Sequence, residues 1–191
     1  LHIVLVNFKL RHICVFSIKK LMKSKGNIVF LGMMGSGKTT IGKLISKRLK
    51  LDFFDIDSHI EKSLSMKISE IFLKKGENFF RKFEEKITLS ILKKRNIVIA
   101  LGGGAFLNKK IRDEILTNHT SFWLNLNSKI IIQRVKRSSK RPLALKLTKN
   151  ELIKLIKKRS NIYSKALYKI ACDELTKTEI VNKILNIYEI N

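Results

Sequence analysis

The feature that most constrains the fold of this chain is a glycine-rich loop that directly follows an apolar run. The run is Asn27-Ile28-Val29-Phe30-Leu31, and residues 32–39, GMMGSGKT, fit the pattern GxxxxGK[ST]. A buried strand that ends in such a loop and continues as a helix aims backbone N–H groups and the positive helix end at one point. In this pattern the lysine, here Lys38, reaches the β- and γ-phosphates, and the hydroxyl, here Thr39, is a ligand of Mg²⁺. The sequence therefore predicts a strand–loop–helix unit that binds a nucleoside triphosphate.

The glycines of this loop have a steric role, because they remove side chains that would block a polyphosphate. We expect the nucleotide to be held by Gly35, Ser36, Gly37, Lys38, Thr39 and Thr40. The alternative is a strand–turn–helix corner without a ligand.

The strongly basic composition raises the question of a nucleic-acid partner. The formal net charge is +25, but 31 of the 40 basic residues are lysine and they are scattered along the chain. Such a surface attracts an anionic substrate in a salt-dependent way. A nucleic-acid-binding module with a vestigial phosphate loop is one hypothesis, but no basic patch interleaved with aromatic residues and no reader motif supports it. We therefore expect no nucleic-acid partner.

Length and cysteine content indicate one domain in a reducing compartment. The chain has 191 residues, and its two cysteines, Cys14 and Cys172, lie far apart without CxxC or Cys/His spacing. Reduced thiols in a cytoplasmic protein explain this pattern better than a disulfide or a metal site.

The first 21 residues differ from the rest of the chain. They mix short apolar runs with basic residues, and no acidic residue occurs before Asp52. The longest uncharged run, Leu1 to Phe8, is too short to cross a bilayer, so no membrane association is expected. We interpret residues 1–21 as a poorly ordered extension and 22–191 as a single domain; a transit peptide is the alternative for the extension.

Short apolar strands alternate with amphipathic helices in the remaining sequence. The predicted strands are Ile28–Leu31, Phe53-Phe54, Asn96–Leu101, Ser121–Leu124 and Tyr168–Ala171. The predicted helices are Lys38–Lys50, Ser58 to about Lys94 with a break near Lys75-Gly76, Lys109–Leu116, Ser128–Val135, Lys149–Arg159 and Glu179–Ile187. This order is typical of an α/β fold with a parallel sheet and helices on both faces.

Three polar or glycine-rich features follow predicted strands: the phosphate loop, the Asp55/Asp57 pair and the triple glycine 102–104. Because ligands bind at the carboxyl ends of strands in such sheets, we expect all three to meet at one site.

Several motifs in a consistent order carry a resemblance to a known family. They are GMMGSGKTT at 32–40, DID at 55–57, FRKFEE at 80–85, LGGG at 101–104, RPLA at 141–144 and RSNIY at 159–163. From about Asn27 to its C-terminus the sequence resembles shikimate kinase. The resemblance implies a three-layer P-loop kinase fold with a five-stranded parallel sheet, a small substrate-binding region at about 55–94 and a lid at about 136–148. It also implies transfer of the γ-phosphoryl group of ATP, with Mg²⁺, to the 3-hydroxyl of shikimate, giving shikimate 3-phosphate and ADP for the chorismate and aromatic amino acid pathway. We expect a monomer.

The resemblance also assigns roles to individual residues. Asp57 would contact the substrate hydroxyls and orient the attacking oxygen, while Asp55 would lie on the metal side with Thr39, through water. A planar guanidinium suits the carboxylate of shikimate, and Arg81 and Arg159 match the two arginines that bind it. The remaining assignments are Lys38 as a catalytic residue with Asp57, Gly103 beside the substrate ring, and Arg141 as the lid arginine that contacts ATP and takes part in catalysis.

Each assignment has a purely structural alternative. Asp57 or Ser58 could cap a helix, Arg81 could pair with Glu84 or Glu85, the Gly103 region could be a tight turn, and Arg141 could be a surface cation. For the whole protein, the alternative is a related kinase for gluconate or a nucleoside monophosphate.

Overall fold

The computed structural model describes residues 26–137 and 147–190, in which strands alternate with helices. The strands are β1 Ile28–Leu31, β2 Asp52–Asp55, β3 Ile97–Ala100, β4 Thr120–Asn125 and β5 Tyr168–Ala171. The helices are α1 Lys38–Leu49, α2 Ile56–Leu64, α3 Ile68–Leu92, α4 Lys109–Asn118, α5 Ser128–Lys136, α6 Lys149–Tyr163 and α7 Lys177–Ile190. A short 3-10 helix, Ala105–Leu107, lies between β3 and α4.

The five strands form one parallel sheet in the order β2-β3-β1-β4-β5. The first strand is central, because Ile28 pairs with Val98 of β3 on one side and with Thr120 of β4 on the other. Every residue of β1 and β3 is buried, which requires cover on both faces of the sheet. The predicted five-stranded parallel α/β architecture is confirmed.

Local signals explain where several helices begin. The N-cap of α1 is Gly37, whose φ of 95° places the end of the glycine loop in the left-handed region. At the start of α6 the side chains of Thr148 and Glu151 form a reciprocal capping box. These local features mark the first turn of both helices.

The predicted continuous helix from Ser58 to Lys75 is wrong. The structure ends α2 at Leu64, and Ser65 has φ 50° before α3 begins at Ile68. The predicted break near Gly76 is confirmed, because Gly76 has φ 78° and ψ 169° and kinks α3. The chain after β2 therefore forms two short helical segments, α2 and the part of α3 before Gly76, instead of one long helix.

Some predictions concern residues outside the described ranges. The extension 1–21, Arg141 and most of the lid at 136–148 lie there. Within residues 26–137 and 147–190, none of the helices combines the length and the apolar character that a membrane crossing requires.

Candidate active site

The phosphate loop adopts a conformation that depends on its glycines. Gly32, Gly35 and Gly37 have φ values of 137°, 77° and 95°, in the region that side chains disfavour. A Cβ at Gly32 would lie 2.7 Å from the carbonyl oxygen of Leu124, so this glycine is required by space as well. The loop therefore wraps tightly at the carboxyl end of β1 and leads into the N-terminus of α1.

Lys38 lies folded back over this loop. The residue is only 6% exposed, and Nζ donates to the carbonyl oxygens of Gly32 at 2.9 Å and Met33 at 3.0 Å. These carbonyls keep the ammonium beside the glycine cradle, where an anionic oxygen would meet it.

Asp55 connects the phosphate loop with the start of α2. Its Oδ2 accepts a hydrogen bond from Oγ1 of Thr39 at 2.5 Å, and its Oδ1 accepts from the backbone N–H of Ser58 at 3.1 Å. Asp55 is thus the N-cap of α2, a role that the sequence had suggested for Asp57 or Ser58. Asp57 lies in the first turn of that helix and lines the same cleft as Thr39.

Arg81 is held between two glutamates of its own helix. Nη1 donates to Oε2 of Glu84 at 2.7 Å, and Nε donates to Oε1 of Glu77 at 3.2 Å. The guanidinium carbon also lies 5.0 Å from the ring centroid of Phe80 and 5.9 Å from that of Phe72. The predicted alternative of a pair with Glu84 is therefore present, but the arginine lines the cleft at the same time.

The Arg81–Glu84 pair is asymmetric in its exposure to solvent. The side chain of Glu84 is 3% exposed and that of Arg81 is 35% exposed. Burial raises the pKa of Glu84 despite the attraction of Arg81, and the nearby Asp57 raises it further. For Arg81, burial acts to lower the pKa, but the attraction and hydrogen bonds of Glu84 and Glu77 raise it overall. The site thus contains a buried carboxyl group, Glu84, whose charged form is disfavoured by burial, and an arginine, Arg81, that stays charged.

The triple glycine after β3 brings three charged side chains close to the backbone. A Cβ at Gly102 would lie 2.6 Å from carboxylate oxygens of both Asp57 and Glu84, and one at Gly104 would lie 2.5 Å from Nη1 of Arg81. The predicted residue, Gly103, is less confined, since its nearest neighbours would be 3.5 Å away. A side chain at Gly102 or Gly104 would therefore displace these charged groups, and neither glycine was predicted individually as a site residue.

The carbonyl oxygen of Gly103 accepts hydrogen bonds from two side chains of α6. It accepts hydrogen bonds from Nη1 of Arg159 at 3.2 Å and from the hydroxyl of Tyr163. Both donors belong to α6, which carries them toward the loop after β3.

These elements surround one cleft of about 800 Å³. It is lined by the predicted residues Gly35, Gly37, Lys38, Thr39, Thr40, Asp55, Asp57, Arg81, Gly103 and Arg159. Ser36, between Gly35 and Gly37 in the loop, is buried and is not among the residues that line the cleft. The two arginines predicted to bind a carboxylate thus face the same space as the phosphate loop.

Two contacts at the cleft were missed by sequence reasoning. Arg134 of α5 donates from Nη1 to the carbonyl oxygen of Gly35 at 3.0 Å. Tyr163 reaches Gly103, and its four-residue spacing from Arg159 was the signal that could have placed both on one helix face.

A comparison with known protein families identifies the family of this chain. The family model of shikimate kinase matches residues 34–189. This chain belongs to the shikimate kinase family. The predicted family and enzyme class are confirmed, and the chain is an ATP-dependent shikimate kinase. The alternative of a gluconate or nucleoside monophosphate kinase is thereby set aside.

Individual shikimate kinases match along most of their length. The enzyme of Thermodesulfovibrio yellowstonii is 42% identical over 164 residues, which cover 85% of this chain and 95% of that protein. The solved structure of shikimate kinase from Acinetobacter baumannii, in complex with shikimate, is 30% identical with a TM-score of 0.83, covering 90% of this chain and 97% of that one. The structure from Aquifex aeolicus is 36% identical with a TM-score of 0.77, covering 85% and 96%. The P-loop kinase fold is confirmed by these matches.

Proposed function

We propose that this chain phosphorylates the 3-hydroxyl of shikimate in the cleft between the phosphate loop and the pair Arg81/Arg159. The observation that carries the proposal is that two arginines from distant parts of the sequence line the same cleft as Lys38. A cyclic hydroxy acid has one anionic group to grip and one hydroxyl to present, and this cleft offers two guanidiniums at one place and a phosphate cradle at another.

The nucleotide is assigned to the phosphate loop. Its amides and the positive end of α1 would hold the phosphates of ATP, and Lys38 would leave the carbonyls of Gly32 and Met33 to neutralise the β- and γ-phosphates. Phosphoryl transfer depends on such positioning and charge neutralisation more than on covalent help.

The residues beside the loop fit Mg²⁺. Thr39 and Asp55 place a hydroxyl and a carboxylate oxygen 2.5 Å apart at the cleft, and Mg²⁺ prefers oxygen ligands from one or two side chains together with phosphates and water. Thr39 would bind the ion directly and Asp55 through water. When Mg²⁺ is bound, it would neutralise part of the negative charge of the phosphates.

The acceptor is assigned to the opposite side of the cleft. Arg81 and Arg159 would bind the carboxylate of shikimate, while Asp57 would accept a hydrogen bond from the attacking hydroxyl and orient it toward the γ-phosphate. Gly103 would lie beside the ring. The relative from Acinetobacter baumannii binds shikimate in a chain of the same fold, which supports this assignment.

The lid arginine, Arg141, is proposed to add positive charge over the transferring group when the cleft closes. This role rests on the family resemblance of the RPLA motif at 141–144. Arg134, which already contacts Gly35, provides a second cation at the mouth of the nucleotide side.

A cytoplasmic monomer is the proposed working form. The cleft is built by side chains of a single chain, so a second copy is not needed to complete its described part. Cys172 is a free thiol, and burial raises its pKa to about 11, which keeps it unreactive.

A coupled ADP-release assay with shikimate, gluconate and a nucleoside monophosphate as acceptors tests the proposed function. We expect turnover with shikimate alone, and loss of that turnover when a chelator removes Mg²⁺. Arg159→Lys is expected to raise the KM for shikimate by about tenfold, because a point charge cannot replace a forked pair of hydrogen bonds. Turnover with gluconate or a nucleotide but not with shikimate would overturn the assignment, and an unchanged KM in Arg159→Lys would remove Arg159 from the carboxylate site.

A further inference from the structure

Tyr163 is a buried tyrosine whose hydroxyl contacts Gly103, a residue that lines the cleft. It is the last residue of α6 and is 1% exposed. Its hydroxyl donates to the carbonyl oxygen of Gly103, and its ring lies 6.1 Å from that of Trp123 at an angle of 50°. Packing alone would be served equally well by phenylalanine, so the hydroxyl requires a separate explanation.

The hydroxyl shares its acceptor with an arginine of the proposed substrate site. Nη1 of Arg159 donates to the same carbonyl oxygen at 3.2 Å. A backbone carbonyl has two lone pairs and can accept from two donors, so both contacts can exist together. Arg159 and Tyr163 are four residues apart on α6 and therefore lie on the same face of the helix.

The same hydroxyl also lies next to the phosphate loop. Its oxygen is 3.9 Å from Sδ of Met33, a residue whose carbonyl accepts a hydrogen bond from Lys38. Thioether sulfur is a weak acceptor, so the carbonyl of Gly103 is the main partner. Tyr163 thus contacts the glycine turn through a hydrogen bond to a carbonyl oxygen and the phosphate loop through a weaker hydroxyl–sulfur contact.

We propose that Tyr163 is a positioning residue for shikimate: its hydroxyl fixes the carbonyl of Gly103 and thereby the direction of the Arg159 guanidinium. Without the hydroxyl, one lone pair of the Gly103 carbonyl loses its partner, and the Nη1 donor of Arg159 is the side-chain hydrogen bond that remains. The guanidinium then turns toward the carbonyl at the expense of the geometry that a substrate carboxylate needs. This inference rests on the proposed function, because it assumes that Arg159 binds shikimate.

The test compares Tyr163→Phe with Tyr168→Phe. The control removes the same hydroxyl from a tyrosine of β5, the edge strand of the sheet, that stacks on Phe122. For Tyr163→Phe we expect the KM for shikimate to rise about fivefold, as for loss of one neutral hydrogen bond, with kcat and the KM for ATP changed less than twofold. Tyr168→Phe should behave like the wild type, and isothermal titration with shikimate should show the same fivefold weakening for Tyr163→Phe alone.

A double variant distinguishes positioning from general support of the fold. If Tyr163 acts through Arg159, the rise in KM for Arg159→Lys/Tyr163→Phe will be smaller than the product of the two single effects. An unchanged shikimate KM in Tyr163→Phe, equal losses for shikimate and ATP, or independent effects in the double variant would each overturn the inference. Absence of shikimate turnover in the wild type would instead overturn the proposed function, and the inference with it.

A second probe applies if Tyr163→Phe does not fold. Replacing Tyr163 by 3,5-difluorotyrosine keeps the ring and hydroxyl but makes the phenol more acidic. An ionised phenol cannot donate to a carbonyl, so the KM for shikimate should rise with pH in this variant and stay flat in the wild type. A flat profile in both proteins would contradict the proposal.

Discussion

Replacing Glu84 by glutamine should weaken shikimate binding without weakening the fold. Glu84 is 3% exposed and accepts from Nη1 of Arg81 at 2.7 Å, whereas Glu77 is 64% exposed and accepts from Nε at 3.2 Å. Both glutamates therefore orient the same guanidinium, one from inside the protein and one from solvent. Glu77→Gln is thus a matched control for Glu84→Gln.

The size of the effect follows from the two kinds of hydrogen bond. Arg81 stays charged in the variant, so its hydrogen bond changes from one between two charged groups to one with a single charged group. The amide oxygen of glutamine can still accept from Arg81, so Glu84→Gln loses only the charge–charge part of the interaction, about 1 kcal/mol, which raises the KM for shikimate about fivefold. An exposed ion pair contributes about 0–1 kcal/mol, so Glu77→Gln should change this KM by about twofold or less.

The same substitution, Glu84→Gln, should stabilise the fold at neutral pH although it weakens shikimate binding. Burial raises the pKa of Glu84 above its ordinary value of 4.5. A carboxyl with a raised folded pKa contributes stability that is fully present below the unfolded pKa and is lost as pH rises through the folded pKa. Glutamine does not ionise, so the free energy of unfolding of Glu84→Gln, relative to the wild type, should increase as pH rises from about 4 to 7.

Two measurements on purified variants check this reasoning. Steady-state kinetics with shikimate as the varied substrate give the KM values, and urea unfolding between pH 4 and pH 7 gives the free energies. The reasoning is refuted if Glu77→Gln raises the KM as much as Glu84→Gln does. It is also refuted if Glu84→Gln loses stability relative to the wild type as pH rises.

Two further substitutions separate the site from the scaffold. Gly104→Ala would place a Cβ 2.5 Å from Nη1 of Arg81, so the guanidinium must move and the KM for shikimate should rise about tenfold; a change below twofold in the same kinetic assay would contradict this. Asn27 is buried, donates to the carbonyls of Leu92 at the end of α3 and of Lys94 just after it, and accepts from the first N–H of β3. Asn27→Ala should therefore lower the free energy of unfolding by about 2–3 kcal/mol in urea while the KM for shikimate stays within twofold, and a large change in KM would count against its purely structural role.

Features that depend on neighbouring residues could be predicted from the sequence. The strand Ile28–Leu31, the glycine loop and the start of α1 at Lys38 are contiguous, and each residue type there matches its backbone conformation. The kink at Gly76 was predictable for the same reason. The interruption after Leu64 was missed, because Ser65 adopts a left-handed conformation that its residue type does not signal.

The candidate site was predicted as a list of residues, and only folding decided how they meet. Sequence alone indicated Arg81 and Arg159 through their residue types and motifs, yet their common cleft depends on a sheet order in which β1 lies between β3 and β4. The burial of Glu84, the confinement of Gly102 and Gly104, and the contact of Tyr163 with Gly103 all join segments that are remote in the chain. Local chemistry along the chain determined which groups are available, because conformation and residue type are coupled over a few residues. Tertiary packing determined which of those groups are in contact, since distances between remote segments are set by the sheet and not by the number of residues between them in the sequence.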